Sequence, residues 1–165
     1  MIPNKGRSVS PEQRTPPDRG VINIETNKFV PTDLRVCVVK VTSYDNKVLR
    51  GSLYNPNLPA EIPFTGPVEL FMRMDSVFDE IHAPRSAMKL RTFTDSRPPV
   101  PEPTPDAPAE KTVATFHIRV HFRQNASWQG TIQWVEDKSE ASFRSVLELM
   151  CLMDSALAPT DTPEE

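Results

Sequence analysis

From Phe116 to Phe122 the chain reads FHIRVHF, apolar and polar residues in strict alternation. Successive side chains of a strand point to opposite faces, so this is the pattern of a strand with one face buried. Gln124-Asn125-Ala126-Ser127 is turn material, and an apolar pattern resumes over Trp128–Val135, which predicts a hairpin. An earlier segment repeats the plan: Arg35–Thr42 reads as a strand, Tyr44-Asp45-Asn46-Lys47 as a turn and Val48–Tyr54 as the return. After each hairpin the apolar period lengthens to that of a helix. Val146, Leu149, Met150, Met153 and Leu157 form one stripe; Leu70, Met74, Val77 and Ile81 form another, widened by Phe71 and Phe78. Ser145 and Glu148 stand at capping-box spacing, the serine oxygen taking the third helical amide and the glutamate reaching back to the cap. In the first copy Gly66 is expected to cap, Pro67 to fill the first helical position and Glu69 to sit near the positive helix end. Ala83-Pro84 and Pro159 mark the helix ends.

The two halves also align residue by residue. At an offset of 79, residues 37–79 fall on 116–158 without a gap, pairing Val41 with Val120, Asn46 with Asn125, Gly51 with Gly130 and Glu61 with Glu140. Phe64, Glu69 and Leu70 match Phe143, Glu148 and Leu149, and the Met-Asp-Ser of 74–76 matches that of 153–155. A gapless match ending in a shared tripeptide reads as an internal duplication. The expectation is therefore an α+β protein: a duplicated ββα unit forming a four-stranded antiparallel sheet, with two helices on one face. Gly51 and Gly130 share one strand position, where close packing beneath the helix is expected. Val21–Phe29 alternates weakly, the pattern of an added edge strand.

Composition divides the chain further. Twelve of its 18 prolines crowd into the ends and the stretch RPPVPEPTPDAP, which cannot hold a helix. This gives a disordered tail at 1–20, a first repeat at 21–90, a proline-rich linker at 91–112, a second repeat at 113–158 and a tail at 159–165. A net charge of −3 selects no class of partner. The first 20 residues carry charge but no apolar segment of a secretory signal, and no apolar run nears the length of a membrane span. Cys37 and Cys151 sit in apolar runs, as reduced thiols would, and the expected location is cytoplasmic.

Candidate chemistry is sparse. There is no phosphate-binding glycine loop, no H-E-x-x-H, no G-x-S-x-G and no Cys-x-x-Cys. His117 and His121 lie four apart on a strand, about 13 Å, too far to share a metal. Asp75, Asp154, Glu69 and Glu148 are acids on helices, better suited to capping and solvation than to acid–base work. No catalytic residue, cofactor or metal site is expected.

Strand parity does single out one face. With Phe116, Ile118, Val120 and Phe122 turned toward the helices, His117, Arg119, His121 and Arg123 point outward, joined through the alignment by Lys40, Tyr44, Arg50 and Tyr54. Trp128 and Trp134 have the parity of the inner face. An outer face of cations and tyrosines suits phosphate contacts and base stacking, so single-stranded nucleic acid is the second reading beside a protein partner.

The stretch FRQNASWQGTIQWVEDKSEASFRSVLELMCLMDSAL resembles small bacterial proteins of uncharacterised activity that carry a WQGT–FRS–ELxxLMDSAL pattern. The resemblance covers little more than the second repeat and implies a bacterial cytosolic protein, with no site residue. At the level of fold alone, the hairpin-and-helix plan is similar to the PUR and Whirly single-strand binders, whose repeats carry more strands. The leading expectation is a non-catalytic binding or adaptor protein, its oligomeric state open.

Overall fold

The computed structural model describes residues 32–94, 111–124 and 127–159. The proposed strand at 21–29, the tail at 1–20 and most of the linker lie outside the described residues. A short 3₁₀ turn, Thr32–Arg35, leads into β1 (Val36–Asp45), β2 (Val48–Tyr54), β3 (Ile62–Thr65) and α1 (Gly66–Glu80). Then follow β4 (Ala114–Phe122), β5 (Gln129–Trp134), β6 (Ser139–Phe143) and α2 (Val146–Leu157).

The sheet has six strands, not four, in the order β3-β2-β1-β4-β5-β6. Every pairing is antiparallel. Each hairpin gains a short third strand at its outer edge before the helix begins. β3 holds four residues with Pro63 among them, and β6 shows a polar run relieved by Ala141 and Phe143. Proline is tolerated in an edge strand, where one side of the backbone needs no partner. β1 and β4 join the halves at the centre, with Val38 opposite His117.

One face of the sheet and the two helices enclose the core. Val39, Val41, Leu53, Phe116, Ile118 and Val120 point into it from the strands, and Leu70, Met74, Phe78, Leu149 and Met153 meet them from the helices. Phe64 and Phe143, from β3 and β6, are buried there as well. Trp128 stands edge-on to Phe71 and Phe78, ring centroids 5.9 and 5.7 Å apart, and with the half-buried Trp134 packs against the core as inner-face parity predicts.

The helix starts differ in detail. Ser145 caps α2, its hydroxyl accepting from the Glu148 amide at 3.1 Å. Glu148 reaches back one residue further than a capping box requires, to the Arg144 amide at 2.7 Å. In α1 the cap residue is Thr65 rather than Gly66, and its side chain makes no cap bond. Gly66 instead takes φ of 81°, a backbone state that costs glycine nothing. Glu69 accepts from the Thr65 amide at 2.9 Å, the same bond that Glu148 makes.

At Gly51 and Gly130 the close neighbour is a strand rather than a helix. A methyl group at either would collide with the neighbouring strand's backbone, at the carbonyl oxygen of Lys40 or of Arg119. The missing side chain lets β1 and β4 press close to their hairpin partners.

Candidate functional site

That close approach comes just before a break in register. One residue is inserted in β1 between Val41 and Ser43, and one in β4 between Val120 and Phe122. Side chains alternate with period two, so a one-residue bulge reverses the facing of everything beyond it. Phe122 therefore turns outward, 56% exposed, and Arg123 turns inward, 3% exposed. This corrects the parity reading for both residues, and for Tyr44, which occupies the place of Arg123 in the first hairpin.

Arg123 lies under α1. Its Nη1 is 2.6 Å from Asp75 Oδ1, its Nη2 is 2.8 Å from Asp79 Oδ1, and its Nε donates to the Pro84 carbonyl at 2.8 Å. The guanidinium also lies over the Phe78 ring. Tyr44 turns toward α2 and donates its hydroxyl to Asp154 Oδ1, which Lys47 Nζ also reaches at 2.5 Å. The Lys47 ammonium and then the Tyr44 hydroxyl hold the Asp154 carboxyl below the usual carboxylate range. Each hairpin thus grips the helix of the other half.

Lys40, Arg50, Tyr54, His117 and Arg119 keep the outer face, while His121 is the inserted residue of its bulge and half-buried. The registers draw a row straight across five strands: Tyr54, Val38, His117, Gln133 and Glu140. A second row carries Val36, Arg119 and Thr131. Together they line a groove of about 340 Å³, floored by Val36 and Val38, with Tyr54 and Pro56 at one end and Glu140 at the other.

The face is less basic than the strands of the hairpins alone imply, because the third strands bring carboxylates. Glu61, just before β3, pairs with Lys40 and accepts from Ser52 Oγ at 2.8 Å. Those two donors, Lys40 foremost, hold the Glu61 carboxyl below its ordinary range. Glu140 on β6 stands at the corresponding place of the other half. Neither acid belonged to the predicted face. The available signal was their alignment with each other, one residue before the aligned Ile62 and Ala141 and three before Phe64 and Phe143, which alternate toward the core.

A second concavity lies on the helix side, about 230 Å³, between α1 and α2 above the β1–β2 hairpin. Leu49, Phe71, Met150, Met153 and Leu157 line it, with Lys47 and Asp154 at its rim. Leu147 also lines it and is 70% exposed; Val68, at the matching position of α1, is 71% exposed. Exposed Cys151 also borders this groove. Cys37 is its opposite, a core thiol whose pKa burial pushes up to about 12.

Among the described residues, no group of three or more His, Cys, Asp or Glu side chains is placed to hold a metal, and no helix is long and apolar enough to cross a membrane. No protein-family model, curated protein or solved structure matches the chain.

Proposed function

We propose that the protein is a non-catalytic binding or adaptor protein that takes a protein partner in the groove between α1 and α2. The observation that carries this reading is Leu147, 70% exposed on the wall of an apolar concavity that Phe71, Met150 and Leu157 also line. Single exposed apolar residues are ordinary, whereas a contiguous apolar patch around a concavity marks an interaction surface. An amphipathic helix would lay its apolar face there, with polar residues toward Lys47 and Asp154. The helix aspartates are engaged in holding the fold, which favours binding over catalysis. The free thiols Cys37 and Cys151 favour a cytoplasmic setting. Matching bulges, matching glycines and matching glutamate–amide bonds support descent of both halves from one duplicated unit.

Single-stranded nucleic acid is the second reading, and Arg50, Tyr54, His117 and Arg119 on one face favour it. It loses Arg123 to the interior and Tyr44 to the helix side of the sheet, and Glu61 offsets Lys40.

Capture of partners from cells with wild type, Leu147→Lys, Met150→Lys and Arg119→Ala separates these readings. The adaptor reading expects one partner lost with either helix variant and kept with Arg119→Ala, and that partner should slow alkylation of Cys151. If instead an oligonucleotide binds with steep salt dependence and Arg119→Ala flattens it, the nucleic-acid reading replaces this one.

A further inference from the structure

Three outer-face positions recur in both halves with opposite outcomes. In the first half Lys40, Ser52 and Glu61 close on one another in a bonded trio. In the second half Arg119, Thr131 and Glu140 stand at the corresponding positions, yet no described residue pairs with the Arg119 guanidinium or with the Glu140 carboxylate. Arg119 Nε is buried with no hydrogen-bond partner. A buried donor on a charged group is seldom left unsatisfied, because the lost hydration is not replaced. Here the unpaired cation and the unpaired carboxylate line one groove.

We propose that this groove binds a zwitterionic amino acid with an apolar side chain. Its carboxylate would lie on the Arg119 guanidinium, whose planar fork matches two oxygens at once. Its ammonium would take Glu140, and its side chain would rest on Val36, Val38 and the Tyr54 ring. Gln133, between His117 and Glu140 in the same row, supplies neutral hydrogen-bonding capacity. The charge pattern decides between ligands. A polyanionic backbone meets Glu140 on the same rim, and a simple cation meets Arg119; only a ligand bearing both charges satisfies both groups. A groove of about 340 Å³ is at the small end of small-molecule sites, of order 300–1,000 Å³. The site is on the far side of the sheet from the helix groove, so the two proposals stand or fall separately.

Calorimetric titration of the full chain with L-leucine, L-phenylalanine and L-tryptophan tests it, alongside N-acetyl-L-phenylalanine, which lacks the ammonium, and L-phenylalaninamide, which lacks the carboxylate. At least one free amino acid should bind, and both blocked forms should bind at least about tenfold more weakly, the loss expected for one charged hydrogen bond. Arg119→Gln and Glu140→Gln should each weaken binding to a similar degree with the thermal transition retained, and Leu147→Lys should leave it unchanged. Arg119→Lys keeps the charge without the fork and should also bind weakly, which covers a failure of Arg119→Gln to fold. No binding of any of the three at millimolar concentration overturns the proposal. So does equal binding of the blocked forms, or indifference to the substitutions at Arg119 and Glu140.

Discussion

Tyr44 and Arg123 stand at the same place in the two hairpins, just beyond the bulge, and each ends on an aspartate of the other half's helix, Asp154 and Asp75. The exchange ties each helix to a hairpin that it does not follow in sequence. The two ties differ in burial. Asp75 and Arg123 are shielded by α1 and the Phe78 ring, whereas Asp154 and Lys47 are largely open to solvent.

Removing one partner of the buried tie leaves the other charge without compensation. Arg123→Ala is therefore expected to lower stability by about 3 kcal/mol or more. Asp154→Ala breaks an exposed cluster that water and salt already screen, and the loss should be clearly smaller. Urea unfolding of both variants checks the order; equal losses would deny the burial difference any energetic meaning.

Gly51→Ala and Gly130→Ala place a methyl group against a neighbouring strand's carbonyl, which cannot move aside as a flexible side chain would. Each should destabilise the fold by about 2 kcal/mol, in the range of overpacked cores. Gly130 is also crowded by the Phe143 ring, so its substitution should be the worse of the two. Paired thermal melts decide it, and a neutral Gly130→Ala would refute the close approach.

The hairpins and helices are legible in the sequence because their apolar spacing is complete within one stretch of chain. β3 and β6 are not. Ile62–Thr65 contains a proline and Ser139–Phe143 is mostly polar, so their strand character depends on the edge they pair with rather than on local pattern. The bulges are hidden for a different reason. FHIRVHF alternates straight through the inserted His121, so period-two reading sends Phe122 inward and Arg123 outward when the backbone does the reverse. Nothing in the local spacing announces the buried Arg123, and its partners Asp75 and Asp79 lie 48 and 44 residues away. Leu147 and Val68 stand off the apolar stripes at aligned positions, a signal that was open to sequence reasoning.

The two caps give a matched comparison. Ser145 accepts the Glu148 amide, so Ser145→Ala should cost about 1 kcal/mol. Thr65 offers its helix no such bond, and Thr65→Ala should cost far less. Ser155→Ala, on the exposed side of α2, serves as the control. Denaturation midpoints that rank Thr65 or Ser155 with Ser145 would count against this helix start.

Glu61 supplies a pH signature. Its folded pKa is depressed by Lys40 and Ser52, so its contribution to stability is in place above the unfolded carboxylate value, about 4.3, and is lost as pH falls through the lower folded value. Lys40→Gln should move the Glu61 titration upward toward that ordinary value. Carboxyl carbon NMR across pH 2 to 6 follows it directly, and an unmoved Glu61 resonance would mean that Lys40 does not set its charge.

The central seam has a consequence for how the chain folds. β1 and β4 pair residues about 80 positions apart, Val38 with His117 among them, while the sheet's other strand pairings join consecutive strands. Closing so long a loop has a large entropic cost before any contact repays it, so both hairpins are expected to form early and the seam late. Until it closes, each half presents an unsatisfied strand edge, and a second molecule presents the same one. Two chains that meet in that interval can trade halves and satisfy every seam hydrogen bond between them. Concentration during refolding then selects monomer or exchanged dimer, with the same seam in both.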